Sequence, residues 1–152
     1  MTPEKRADLA VELFEQGHNC AQSIVGAWLD QISIDHEQAM LIASSFGGGM
    51  GRLREVCGAL TGSFMVAGLL RGYSEPGDDE IKGRHYELIQ RIAAEFEKKY
   101  GTILCRDLLE LDVKHDSPLP SERTPEYYAA RPCARFIYDA VLILDEALRS
   151  QK

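Results

Sequence analysis

Between Asp79 and Tyr100, the residues Ile81, His85, Leu88, Ile92, Phe96 and Tyr100 recur at intervals of three and four. That spacing lays one apolar stripe along an α-helix. Glu80–Arg84, Glu87–Arg91 and Glu95–Lys99 stand four apart in the order that supports a helix on its exposed side, and Gly101 ends it. No other segment alternates as a half-buried strand does, so the pattern predicts an all-α chain.

Helix signals bracket the rest. Thr2 with Pro3 opens a first helix that Gly17 stops. Asn19 caps a second, "CAQSIVGAWLDQI", and Asp35 a third, "HEQAMLIASSF". A fourth runs from near Cys57 to about Gly72, and 79–100 is the fifth. Thr102 is placed to cap "ILCRDLLEL", Thr124-Pro125 opens a helical turn, and Pro132 opens a last helix through Leu148. The segment "DVKHDSPLPSER" reads as the one long loop. The expectation is a single helical domain over residues 1–152, a compact bundle of about six to eight helices.

Four cysteines fall on this map: Cys20, Cys57, Cys105 and Cys133, separated by 36, 47 and 27 residues. No CxxC occurs, which excludes local zinc-ribbon, thioredoxin-type and ferredoxin patterns and CxxCH haem attachment. Each cysteine lies in or near the first turn of a different helix. Unpaired N–H groups and the partial positive charge at a helix start stabilise a thiolate, so four converging starts would offset the repulsion among four thiolates. The surrounding glycines are unusual for helices. Gly58 and Gly62 lie inside the fourth helix, where each costs about 1 kcal/mol against alanine, which implies close approach of a neighbour or a cofactor. Gly48 and Gly49, in "FGGGMGR", allow the backbone to wrap a bulky centre or form an anion-binding nest. The run matches neither a P-loop nor a dinucleotide fingerprint.

The segments "NCAQSIV", "FGGGMGRLREVCGALTGSFMVAGLLRG", "YGTILCRDLL" and "RPCARFIYDAVLILDEAL" resemble, in order and over nearly the whole chain, the C_GCAxxG_C_C family of redox-active proteins. The resemblance implies an all-helical domain whose four cysteines hold an iron–sulfur or other metal centre. On this chain they are Cys20, Cys57, Cys105 and Cys133, with Gly58 and Gly62 as the core glycines.

Three functions follow as expectations. The first is a redox protein that binds a metal centre, an iron–sulfur cluster in preference to zinc, and passes electrons to a partner protein. The second is a metal-free thiol/disulfide oxidoreductase with Cys57 as nucleophile, on the strength of its helix start and neighbouring cations. The third is a helical interaction module whose cysteines are core residues. Arg52, Arg54 and Arg131 lie near cysteines in sequence. His18 lies two residues before Cys20 but equally suits the end of the first helix; His85 reads as a core histidine, and His36 and His115 have no evident partner. With 17 basic against 24 acidic residues, a net charge of −7 argues against nucleic acid or anionic membrane as a ligand. The charged, amphipathic N-terminus and the lack of a long apolar run lead to the expectation of a cytoplasmic protein.

Overall fold

The computed structural model describes residues 1–151. Among them the chain forms eight right-handed α-helices: α1 (Pro3–Glu15), α2 (Cys20–Ala27), α3 (His36–Ser44), α4 (Gly58–Arg71), α5 (Asp79–Tyr100), α6 (Cys105–Leu108), α7 (Pro125–Ala130) and α8 (Cys133–Ser150). The fold is all-α, as the periodicity predicts. One isolated antiparallel bridge, Val56 to Leu104, is the sole β pairing among the described residues.

Local chemistry sets most helix starts. The side chains of Thr2, Asn19, Asp35 and Thr124 accept from the backbone N–H three residues on, which satisfies donors that a helix start leaves free. Asn19 and Gln22 form a reciprocal capping box. Thr102 departs from expectation. It accepts from Leu104 N–H and donates to Asp107, so the short helix begins only at Cys105.

The second helix is also shorter than "CAQSIVGAWLDQI" implies. Arg6, only 5% exposed, donates to the Ala27 carbonyl at 2.6 Å and forks onto Asp30 at 2.5 and 3.0 Å. Its guanidinium lies 4.3 Å from the centroid of the Trp28 ring. This cation ends α2 at Ala27 by satisfying its last carbonyl and holding the following turn.

Helix α8 is the spine. Phe136, Ile137, Ala140, Val141 and Leu144 are buried along it, against α1, α2, α4 and α5. Burial of a large apolar side chain of this kind contributes roughly 1.5–3 kcal/mol. Helix α5 buries Leu88, Ile92 and Phe96, while Ile81 at the start of its stripe is left exposed. Of the three expected pairs on its outer face only Glu80–Arg84 forms. Arg91 instead caps α8, donating to Ala147 O at 2.5 Å and Ser150 Oγ at 2.8 Å. Lys99 turns to the buried Asp139 at 3.0 Å, which also accepts from the Tyr100 hydroxyl.

Helix α2 packs closely against α4. A Cβ built on Gly62 would lie 2.9 Å from the Ala21 carbonyl oxygen and 3.0 Å from Ile24 Cβ; one on Gly58 would lie 2.9 Å from Cys20 Cβ. These glycines bring the two backbones together and set the starts of both helices side by side.

Gly62→Ala is expected to force α2 and α4 apart, with a net loss of about 1–2 kcal/mol in urea unfolding after the helix propensity gained. Gly83→Ala, where nothing lies within 4 Å, should instead gain up to about 1 kcal/mol. Equal effects would refute the close approach as the reason for Gly62.

The Arg6 hydrogen bond holds the Asp30 carboxyl at about 2, below its usual 3.8. A carboxyl whose folded pKa is depressed stabilises the fold above its unfolded pKa, and that contribution is lost as pH falls through the folded value. Wild type and Asp30→Asn should therefore differ in stability above about pH 4 and converge towards pH 2. The difference should be modest because Asp30 is partly exposed. Parallel stability curves across this range would exclude the pair as a source of acid sensitivity.

Candidate functional site

Each cysteine stands at a helix start. Cys20, Cys105 and Cys133 are the first residues of α2, α6 and α8, and Cys57 is the N-cap of α4. Three tertiary arrangements bring them together. The glycine contact of α2 with α4 aligns Cys20 with Cys57. The bridge around Val56 and Leu104 aligns Cys57 with Cys105, through Cys57 N–H to Ile103 O at 2.9 Å and Cys105 N–H to Glu55 O at 2.6 Å. Packing of α8 on α1 and α2 brings Cys133 against Cys20.

All four line one cavity of about 60 Å³, more than the roughly 10–15 Å³ that one water needs. Gly48, Gly49 and Gly58 form part of its wall, and Phe14, Leu108, Leu109 and Phe136 supply apolar surface. Gly62 does not line it. It makes the helix contact one turn further along, against Ala21 and Ile24. His18 is likewise outside the cavity; its Nδ1 lies 3.0 Å from Leu13 O at the end of α1. His85 packs against Tyr73 with a buried Nδ1 that has no partner, so it is not the satisfied core histidine expected.

The glycine run is a left-handed turn. Gly48, Gly49, Met50, Gly51 and Arg52 have φ of 66°, 70°, 69°, 63° and 66°, a conformation costing a non-glycine residue roughly 1–2 kcal/mol. At Gly49 a Cβ would lie 2.6 Å from Cys105 Cβ. The turn wraps the backbone directly over this cysteine.

Three arginines face the sulfurs. Arg54, 3% exposed, donates from Nη1 to Cys105 Sγ at 3.5 Å and from Nη2 to Asp116 at 3.1 Å. Arg123 donates to the Phe14 and His18 carbonyls and packs on the Phe14, Tyr127 and Tyr128 rings. Arg131 lies over Tyr127. No carboxylate is among the residues lining the cavity. Arg54 and Arg131 lie beside cysteines in sequence, but Arg123 belongs to the polar loop and carries no local signal. Arg52 lies outside the wall and binds the loop at Asp116, Ser117 and Ser121.

The thiols are not equivalent. The neighbouring Cys133 raises the pKa of Cys20, with burial adding to the rise. The proximity of Cys20, aided by Arg131, Arg123 and Arg54, lowers Cys133 against the effect of burial. Burial pushes Cys57 up to about 12, although the N–H groups of Ala59 and Leu60 act in the other direction. Burial also raises Cys105, opposed by Arg54. The cations expected near Cys57 therefore gather around Cys133 and Cys105. As the side chains stand, no group of three or more His, Cys, Asp or Glu residues among those described is placed to hold a metal ion. No helix among them is long and apolar enough to cross a membrane.

Fold and site together define an all-α protein with four cysteines at helix starts around one cationic cavity. Residues 18–147 match the family model C_GCAxxG_C_C, described as "Putative redox-active protein". The chain belongs to this family. No curated protein and no solved structure gives a match.

In the reduced, metal-free protein at pH 8, iodoacetamide should modify Cys133 before Cys57, by roughly tenfold or more in rate, because the thiolate is the reacting form. Peptide mass spectrometry of a time course reads this order. Faster modification of Cys57 would overturn the assignment of the cations.

Proposed function

We propose that this redox protein holds one iron–sulfur centre through Cys20, Cys57, Cys105 and Cys133 and uses it for one-electron transfer with a partner protein. The observation that carries the reading is the single cavity lined by four sulfurs and three arginines and by no carboxylate. Four thiolates are a soft donor set, suited to an iron–sulfur centre or zinc. Zinc takes its ligands tetrahedrally about one point, whereas the four cysteines line a cavity of about 60 Å³, with room for a centre larger than one ion.

When bound, such a centre supplies a one-electron couple whose potential follows its charge, its hydrogen bonds and its exposure. The chain's own residues act on each of these. Arg54, Arg123 and Arg131 offset the charge of four thiolates. The Ala59 and Leu60 N–H groups lie toward the Cys57 sulfur. Phe14, Leu108, Leu109 and Phe136 keep water from the sulfurs, and Gly49 and Gly58 let the backbone pass where a Cβ would strike Cys105 and Cys20.

One observation favours a second reading: Cys20 and Cys133 are neighbours on one cavity wall and their pKa values are shifted in opposite directions. In a metal-free thiol/disulfide protein, Cys133 would attack a hydroperoxide, forming a sulfenic acid and releasing the alcohol. Cys20 would then condense with it to a disulfide and release water. The nucleophile in this reading is Cys133, since burial holds Cys57 at about 12.

Protein purified without oxygen should be brown and contain iron and acid-labile sulfide, and each of the four Cys→Ser variants should lose them. A colourless, metal-free protein whose variants are all folded would reject the cluster. A Cys20–Cys133 disulfide formed with hydroperoxide would then support the second reading.

A further inference from the structure

The loop after α6 is bound to the site through two arginines. Asp116 accepts from Arg54 at 3.1 Å and pairs with Arg52 at 3.2 Å, and its own N–H donates to the Arg52 carbonyl at 2.8 Å. Arg52 also reaches the Ser117 carbonyl at 2.6 Å and Ser121 Oγ at 3.3 Å. Residues 112–123 thus form a strap, and Arg123 fastens its far end to the carbonyls of Phe14 and His18.

Arg54 differs from the other arginines of the cavity. It is 3% exposed, has a left-handed backbone with φ of 58°, and keeps a buried Nε without a partner. One arm of its guanidinium reaches Cys105 Sγ and the other reaches Asp116. A single buried cation is therefore shared between a sulfur of the site and a carboxylate at the surface. The planar fork of arginine makes both contacts at once, which the point charge of lysine does not.

We propose that Arg54 is a positioning residue that divides its charge between Cys105 and Asp116, so that the strap at 112–123 sets the reduction potential of the centre. The inference rests on the iron–sulfur reading above. Reduction would add one negative charge to the centre as a whole. A cation beside it favours the reduced form, and a carboxylate beside that cation opposes it. A partner that draws Asp116 away from Arg54 would therefore raise the potential as it docks.

Potentiometric titration of the full chain, purified without oxygen, tests this with Arg54→Gln, Arg54→Lys and Asp116→Asn. Arg54→Gln should lower the equilibrium constant for reduction at least tenfold, about 59 mV for one electron. Arg54→Lys, which keeps the charge and loses the fork, should lower it less. Asp116→Asn should raise it. Loss of one shared structural contact would move Arg54→Gln and Asp116→Asn the same way, so opposite signs support the division of charge. Shifts in one direction, or no shift in either, would overturn it. If Arg54→Gln fails to fold or to load, the opposed shifts of Arg54→Lys and Asp116→Asn carry the test. In the metal-free protein both Arg54→Gln and Asp116→Asn should release the strap, and trypsin should cut after the exposed Lys114 several-fold faster. Unchanged cutting would overturn the tether. A wild-type protein that carries no iron or sulfide would overturn the iron–sulfur reading, and the role of Arg54 with it.

Discussion

The four helix starts gather at one cavity around one unusually close helix contact. Here α2 and α4 meet almost backbone to backbone, because Gly58 and Gly62 present no Cβ to Cys20, Ala21 and Ile24. The rest of the site is arranged around that contact. It sets Cys20 beside Cys57, and the short bridge through Val56 and Leu104 adds Cys105. The long helix α8, packed on α1 and α2, then closes the ring with Cys133.

Electrostatics and strain explain why the arrangement carries so much unusual chemistry. Buried thiols resist ionisation, as the pKa of Cys57 shows, so a site needing several thiolates needs compensating positive charge. The chain supplies it from helix starts and from Arg54, Arg123 and Arg131 at the cavity wall, although its overall charge is negative. The left-handed backbone at Met50, Arg52 and Arg54 is costly for non-glycine residues. It is found where the chain must turn over Cys105 and aim Arg54 at the sulfur, and strain of this kind clusters at functional sites.

Two parts of the molecule proved more organised than their composition implies. The polar loop at 112–123 is held by Arg52, Arg54 and Arg123 and lies against the site. Helix α5, the plainest helix in the sequence, does not use two of the three ion pairs that its spacing offers. Arg91 and Lys99 find partners on α8 instead, a helix terminus and a buried carboxylate. Both partners lie in less water than a surface glutamate, where a charge contact is screened less.

The sequence by itself determined the helices, most of their caps and the placement of every cysteine at a helix start, because periodicity, capping and glycine stops are local properties read over a few residues. It also located Gly58 and Gly62, since glycine inside a helix needs a reason. It did not separate their roles: Gly58 lines the cavity and Gly62 makes the helix contact one turn further along. Nor did it rank the thiols. Tertiary structure alone decided that Cys133 is the cysteine with its pKa lowered and that Arg123 joins the cavity wall. It alone decided that Arg54 is shared with Asp116. A pKa, a shared ion and a cavity depend on which groups meet through space, and here they meet across segments tens of residues apart, beyond the reach of any local pattern.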